Sequence, residues 1–340
     1  MKNIFFSFLI LFSMAFISSC EVEFNPNGSW KETTVVYGVL DQDADTNFVR
    51  IEKCFLGEGN YVNFSKVKDS VYYKEEELSV NLYAFYYWET NAWDTTKALE
   101  KIPLNYTETY KKDSGEFYYD VSPIYFTTHK LNSQMEYYLV IKNLITGNTT
   151  TSHSRLVADY KVTAPSGNSF GFNYNSTYQQ YLLNCKWTSQ TSGALGEMPK
   201  MFQPAIRFNF LENGQKAFVD LKFSSINNPF TLEDREISFL IFHDEVVSQI
   251  KDKVSKRGVA QRSFLMDTPT FEIFVYSCGE NLKNYIDNNV PIVSLTERPV
   301  YSNIENGIGI FSSRRLNIKK SYTSFPDSFK AEIEGLNIGF

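Results

Sequence analysis

Met135-Glu136-Tyr137-Tyr138-Leu139-Val140-Ile141-Lys142-Asn143-Leu144, followed by the turn pair Gly147-Asn148 and by residues 149–157, decides how the chain is read. The first run is dense in aromatic and β-branched side chains, the composition that fits a pleated surface. The glycine-containing turn sends the chain back, so the whole stretch reads as a β-hairpin. Upstream, residues 33–40, 48–55, 78–88 and 115–121 carry the same signal. The first of these stops at Asp41-Gln42-Asp43. The second puts Phe48, Arg50, Glu52 and Cys54 on one face and Val49, Ile51, Lys53 and Phe55 on the other, so neither face is purely apolar. Roughly seven strands in roughly 125 residues predict an immunoglobulin- or fibronectin-like β-sandwich over residues 32–160, without a Cys…Trp…Cys signature.

Ala164-Pro165-Ser166-Gly167-Asn168 is the linker candidate, and the spacing beyond it predicts a mixed α+β domain over residues 161–340. Residues 181–188, 201–211 and 217–223 read as strands, with Glu212-Asn213-Gly214 as the hairpin turn between the last two. Thr231-Leu232-Glu233-Asp234 has the shape of a capping box, and Ile237, Leu240, Ile241, Val247, Ile250 and Val254 recur at helical spacing up to Gly258. The rival parse makes residues 237–242 a strand and starts the helix at His243. Residues 271–276 and 308–311 read as strands, and 280–288 and 327–334 as short helices.

The N-terminus says where such a body would work. Lys2 precedes an apolar run over residues 4–16, broken only by Ser7 and Ser13, and Ile17-Ser18-Ser19-Cys20 follows. This is the layout of a lipoprotein signal over residues 1–19, with cleavage before Cys20 and acylation of its sulfur. Several acyl chains make a stable anchor, since each buried CH₂ contributes about 0.8 kcal/mol. Residues 20–31, including Asn25-Pro26-Asn27-Gly28-Ser29, then form a lipidated polar tether. Glu21 and Glu23 behind the cysteine resemble surface-export tags of Bacteroidota lipoproteins. The expected location is the outer membrane, lipid-anchored, on the cell-surface face, with the periplasmic face as the alternative.

A net charge of −6 over 340 residues argues against nucleic acid as a partner, which needs a basic face. Aromatic residues make up 16%, which favours strands over a helical bundle. Cys54, Cys185 and Cys278 are isolated, lack metal-ligand spacing and read as small buried side chains.

Three stretches carry a family resemblance. They are Val35-Val36-Tyr37-Gly38-Val39-Leu40, then Lys53-Cys54-Phe55-Leu56-Gly57-Glu58-Gly59-Asn60, and far downstream Asn303-Ile304-Glu305-Asn306-Gly307-Ile308-Gly309-Ile310-Phe311-Ser312-Ser313-Arg314. Together they resemble a family of uncharacterised Bacteroidota outer-membrane lipoproteins, a domain of unknown function. The resemblance implies an exported lipoprotein with an N-terminal β-sandwich, encoded near TonB-dependent transporters, and no catalytic residues; Cys20 is the one functional position it transfers. On their own chemistry, Gly57-Glu58-Gly59-Asn60 reads as a tight loop, Asn306-Gly307 as a turn, Gly309 as a bulge or close backbone approach, and Arg314 as a satisfied arginine at a turn.

Chemistry is sparse. His129, His153 and His243 are far apart, and His243-Asp244-Glu245 lacks the i, i+4 histidine pair of a zinc protease and reads as a solvated helix start. There is no nucleophile elbow, P-loop or dinucleotide fingerprint, so no enzyme, cofactor or metal is expected. Glu75-Glu76-Glu77 reads as a solvated turn. The strongest binding feature is Tyr83, Phe85, Tyr86, Tyr87, Trp88 and Trp93. Consecutive aromatics on a strand must place some rings outward, and outward Tyr87, Trp88 and Trp93 would serve a partner or a glycan. On this reading Trp93→Ala leaves folding intact and weakens capture. Ser70 in Asp69-Ser70-Val71 and Thr95 in Asp94-Thr95-Thr96 resemble O-glycosylation sites of exported Bacteroidota proteins. The functional expectation is a non-enzymatic binding or assembly component beside an outer-membrane β-barrel such as a TonB-dependent transporter. The alternative is a stand-alone surface lipoprotein that captures glycan or peptide ligands.

Overall fold

Alternating apolar and polar side chains set most of the strands in the computed structural model, which describes residues 32–54, 61–88, 93–111, 113–115, 117–265, 268–289 and 301–340. The signal, Cys20, the tether that follows it and the Gly57–Asn60 loop lie outside the described residues. The N-terminal half supplies β1 (Thr34–Leu40), β2 (Asn47–Lys53), β3 (Leu78–Tyr86), β4 (Glu100–Pro103), β5 (Asn105–Thr107), β6 (Ile124–Thr127), β7 (Met135–Asn143) and β8 (Thr149–Arg155). It also holds the short helices α1 (Tyr61–Ser65) and α2 (Lys68–Val71). The C-terminal half supplies β9 (Val162–Ala164), β10 (Asn173–Asn175), β11 (Gln180–Thr188), β12 (Met201–Glu212), β13 (Gln215–Lys222), β14 (Ile226–Asn227), β15 (Glu236–Phe242), β16 (Arg262–Phe264), β17 (Phe271–Cys278) and β18 (Gly307–Tyr322). Its helices are α3 (His243–Ser255), α4 (Glu280–Asn289) and α5 (Asp327–Gly335).

The fold is mainly β. One 10-stranded sheet runs β13-β12-β17-β18-β1-β2-β6-β5, with β14 and β16 as side branches on β12. A second sheet runs β4-β3-β7-β8, and a third β10-β11-β15 with β9 added to β11. In the N-terminal half, strands of two sheets share one core. Val36 and Leu40 of β1, Val49 and Ile51 of β2 and Tyr125 of β6 share one buried cluster with Val80 and Leu82 of β3 and Leu139 and Ile141 of β7. Each fully buried aliphatic side chain there contributes about 1.5–3 kcal/mol. The C-terminal cluster is built on phenylalanine: Phe170 stacks on Phe271 at 4.2 Å, and Phe271 on Phe208 at 5.1 Å. The aromatic content therefore fills a core as well as lining strands.

The two clusters fall on either side of residues 157–160, yet the large sheet crosses that point. Its seam is β18. Residues 307–313 pair in parallel with β1, and residues 314–322 pair antiparallel with β17. Ile304 and Phe311 belong to the N-terminal cluster although they lie near the end of the chain. The Ala164–Asn168 segment is fastened at both sides: Ala164 pairs with Lys186 of β11, and Phe170 N–H donates to Ser324 O at 2.9 Å.

Local expectations fare unevenly. The 147–148 turn joins β7 to β8, and Asn213 and Gly214, both at positive φ, turn β12 into β13. Glu75–Glu77 is a 3₁₀ turn ahead of β3, capped by Glu77 accepting from Lys74 N–H at 3.2 Å. The described residues of 115–121 form no strand; the strand of that region is β6, whose Phe48↔Phe126 register ties it to β2. The helix does not start at Thr231. Residues 236–242 are β15, because Ile237 and Ile241 pair across from Trp187 and Leu183 on β11 and enter the core. Helix α3 starts at His243, with Asp244 and Glu245 in its first turn where they oppose the helix dipole. His243 is tied down rather than solvated: Nε2 meets Glu332 Oε2 at 2.8 Å, and Phe172 and Phe329 flank the ring at 5.0 and 5.6 Å.

Candidate binding surface

The site is built on the face of the β4-β3-β7-β8 sheet that points away from the shared core. Pleating fixes which side chains arrive there. Leu82 and Ala84 of β3 and Leu139 of β7 face inward, so Tyr83, Phe85 and Tyr138 face outward. Register then aligns Lys101, Tyr83, Tyr138 and His153 in one row across all four strands. Lys101 Nζ lies 5.9 Å from the Tyr83 ring, a weak cation–π contact. His153 Nδ1 meets Glu136 Oε1 at 2.7 Å.

Trp93 closes over this row. Its ring stacks on Tyr138 at 5.1 Å and 10°, meets His153 at 4.8 Å, and edges Phe85 at 5.4 Å. Phe85 is buried beneath it. Trp93 is therefore a half-buried cover, and its ring contacts argue for a cost to the fold on its removal. Trp93→Ala should destabilise the protein by about 3 kcal/mol, since a large aromatic leaves a void over Phe85 and loses its stacked partner. Urea unfolding checks this; a change within about 0.5 kcal/mol would be that of an idle surface residue.

Tyr87 and Trp88 sit at the end of β3. Arg155 of β8 lies over the Tyr87 ring at 4.2 Å, and its Nη2 donates to Gly196 O at 3.0 Å. Trp88 is 55% exposed, stacks on Tyr86 at 4.4 Å and 12°, and meets Tyr87 edge-on at 5.0 Å. The structure thus divides the three aromatic candidates: Trp93 belongs to the covered face, while Tyr87 and Trp88 form a stacked edge against Tyr86 and Arg155. Sequence reasoning missed Tyr138, His153 and Arg155. Their strand neighbours are readable, but their meeting with Trp93 and Tyr87 depends on cross-strand register.

Ser70 is half-buried in α2, beside the buried Val71. Thr95 is half-buried at the start of a 3₁₀ turn, where Asp94 Oδ1 accepts from Thr96 N–H at 3.1 Å and from Thr96 Oγ1 at 2.7 Å. Those bonds hold the Asp94 carboxyl below its ordinary pKa. The Asp94-Thr95-Thr96 pattern thus has a local structural role as a capped turn. Cys185 and Cys278 are buried and free, and burial pushes both thiols up to about 12, so they stay protonated and inert. Cys54 is only half-buried. His129 pairs with Glu100 at 3.2 Å, apart from the other two histidines. Among the described residues no group of His, Cys, Asp and Glu is arranged to hold a metal ion.

The late sequence stretch proves structural. Ser312 and Ser313 are buried; Ser312 Oγ accepts from Leu282 N–H at 3.0 Å in the first turn of α4, and Ser313 Oγ donates to Arg155 O at 2.5 Å. Arg314 reaches Asp41 at 3.5 Å with its side chain 55% exposed. Arg315 is the better-held arginine, between Asp43 at 3.1 Å and Asp159 at 3.5 Å. No family model matches the chain, and no curated protein matches it.

Proposed function

We propose that this chain is a lipid-anchored, non-catalytic outer-membrane protein whose work is contact. Its particular role is that of a binding or assembly component beside an integral β-barrel such as a TonB-dependent transporter, in the manner of the Bacteroidota lipoproteins it resembles. Residues 32–160 would be its immunoglobulin- or fibronectin-like module, presented by the tether from Cys20. The observation that supports this most is the exposed Trp88, pre-stacked on Tyr86 beside the Tyr87–Arg155 pair. Trp, Tyr and Arg are the residues that dominate protein interfaces, and a ring already held in place loses little entropy on docking.

The test is affinity capture from native membranes after gentle detergent extraction. Wild type should bring a β-barrel protein with it in fixed ratio. Trp88→Ala should bind that partner about 30-fold more weakly, as a hot-spot loss of about 2 kcal/mol implies, while its stability falls by only about 1 kcal/mol, the stacking on Tyr86. A wild-type capture with no barrel, or a Trp88→Ala capture equal to it, removes this reading.

The anchor has its own measurement. The mature product should begin at Cys20 and carry fatty acid by intact-mass analysis, and Cys20→Ala should leave the membrane fraction. The same mass spectrum reports any glycan on Ser70 or Thr95. The flat exposed indole of Trp88 also favours the second reading, stand-alone capture of glycan or peptide. In that case the ligand raises the melting temperature of the isolated chain with no barrel present.

A further inference from the structure

A second recessed surface lies on the other side of the molecule's seam. It occupies the face of β13-β12-β17-β18 opposite the phenylalanine core and holds a cleft of about 350 Å³. Pleating places Gln203, Tyr276 and Leu316 on its floor, since Phe202 and Val275 point into the core. Helix α4 forms the wall. It is docked there by two first-turn bonds, Glu280 N–H to Glu197 Oε1 at 2.8 Å and Leu282 N–H to Ser312 Oγ at 3.0 Å. Leu282 and Ile286, four residues apart on one helix face, line the cleft, and Ile286 remains 37% exposed. The volume falls within the usual range for small-molecule sites, about 300–1,000 Å³.

The charge of the lining is one-sided. Lys222 on β13 and Arg314 on β18 both line the cleft, three strand spacings across and four residues along the strands apart, or roughly 20 Å. No carboxylate lines it among the described residues. The nearby acids are engaged elsewhere. Asp220 takes two bonds from Arg207 at 2.7 and 3.0 Å, Asp287 pairs with Lys283, and Glu280 with Lys200. Arg314 already shares Asp41, whereas Lys222 has no ion pair among the described residues. Burial holds the Tyr276 hydroxyl above its ordinary pKa, so at neutral pH it remains a neutral donor. A basic, acid-free cleft in a chain of net charge −6 selects an anion, and its apolar wall selects a hydrocarbon body.

We infer that this cleft binds a medium-chain alkyl carboxylate, with the carboxylate on Lys222 and the hydrocarbon against Leu282, Ile286 and Leu316. The site is separate from the aromatic edge at Trp88, so it stands or falls independently of the proposed partner.

Calorimetric titration of the purified chain with octanoate, octan-1-ol and octylamine tests it. Octanoate should bind, octanol at least tenfold more weakly, and octylamine not at all. Lys222→Met should weaken octanoate at least tenfold with an unchanged circular-dichroism spectrum. Ile286→Glu, which puts a like charge on an exposed helix position, should abolish binding. Absence of octanoate binding to the wild type overturns the inference. So does octanol binding as tightly as octanoate, or octanoate binding that is unchanged in folded Lys222→Met protein.

Discussion

Replacing Gly309 by Val is expected to lower the unfolding free energy by about 4 kcal/mol. Gly309 has φ +118°, a conformation that L side chains rarely adopt. A Cβ there would stand 2.0 Å from Val36 O and 3.0 Å from Val36 N and C. The obstacle is the backbone of the strand it pairs with, so no rotamer change relieves it. To admit a side chain, β1 must leave β18, and that pair joins the two halves of the large sheet. Gly147 is the control. Its φ of +77° is also left-handed, but nothing lies within 4 Å of its Cβ position, so Gly147→Val should cost only about 1 kcal/mol. Urea unfolding of both variants separates close approach from backbone strain. Equal losses would mean that the β1–β18 contact contributes no more than a loop does.

That contact also shows what could be read from the chain and what could not. Asn306-Gly307 and Gly309 announce a turn and a close approach in the sequence, and both are present. The partner of Gly309, Val36, is some 270 residues away, and local pattern carries no information on parallel pairing at that separation. The length of β18 is hidden for a related reason. Only residues 308–311 look like a strand; beyond them Arg314, Arg315 and Asn317 interrupt the apolar pattern because their partners are Asp41, Asp43 and Asp159, brought in by other strands. The α3 boundary fails by a different route. Ile237 and Ile241 satisfy a helical period and a strand period at once, and tertiary pairing with Trp187 and Leu183 decides between them. At the binding surface the aromatic run is legible, but alternation alone cannot distinguish a ring that covers from a ring that is offered. Trp93 has Tyr138 and His153 beneath it and Trp88 has solvent above it, a difference set entirely by how the chain after β3 returns to the sheet.

Arg262→Met should cost about 3 kcal/mol, the usual penalty for removing one member of a buried ion pair. The Arg262 side chain is 2% exposed. Its Nε donates to Glu212 Oε2 at 2.9 Å, Nη1 to Ile338 O at 2.5 Å and Nη2 to Gly258 O at 3.0 Å. One planar fork therefore ties together the end of β12, the turn after α3 and the C-terminal residues, where Phe340 packs on Phe264 at 4.9 Å. A lysine has no such fork, so Arg262→Lys should recover little of the loss. The pH dependence has a definite sign. Arg257 and then Arg262 hold the Glu212 carboxyl below its ordinary pKa. A depressed carboxylate adds stability above its unfolded pKa of about 4.3 and loses it as pH falls through the folded value. Wild type should therefore exceed Arg262→Met by the full margin at pH 7 and by a smaller one at acid pH below the lowered folded pKa of Glu212, where its carboxyl is protonated and only the two carbonyl bonds still separate them. Urea midpoints at both pH values measure this, and a margin that stays constant would locate the whole effect in Ile338 and Gly258 rather than in the ion pair.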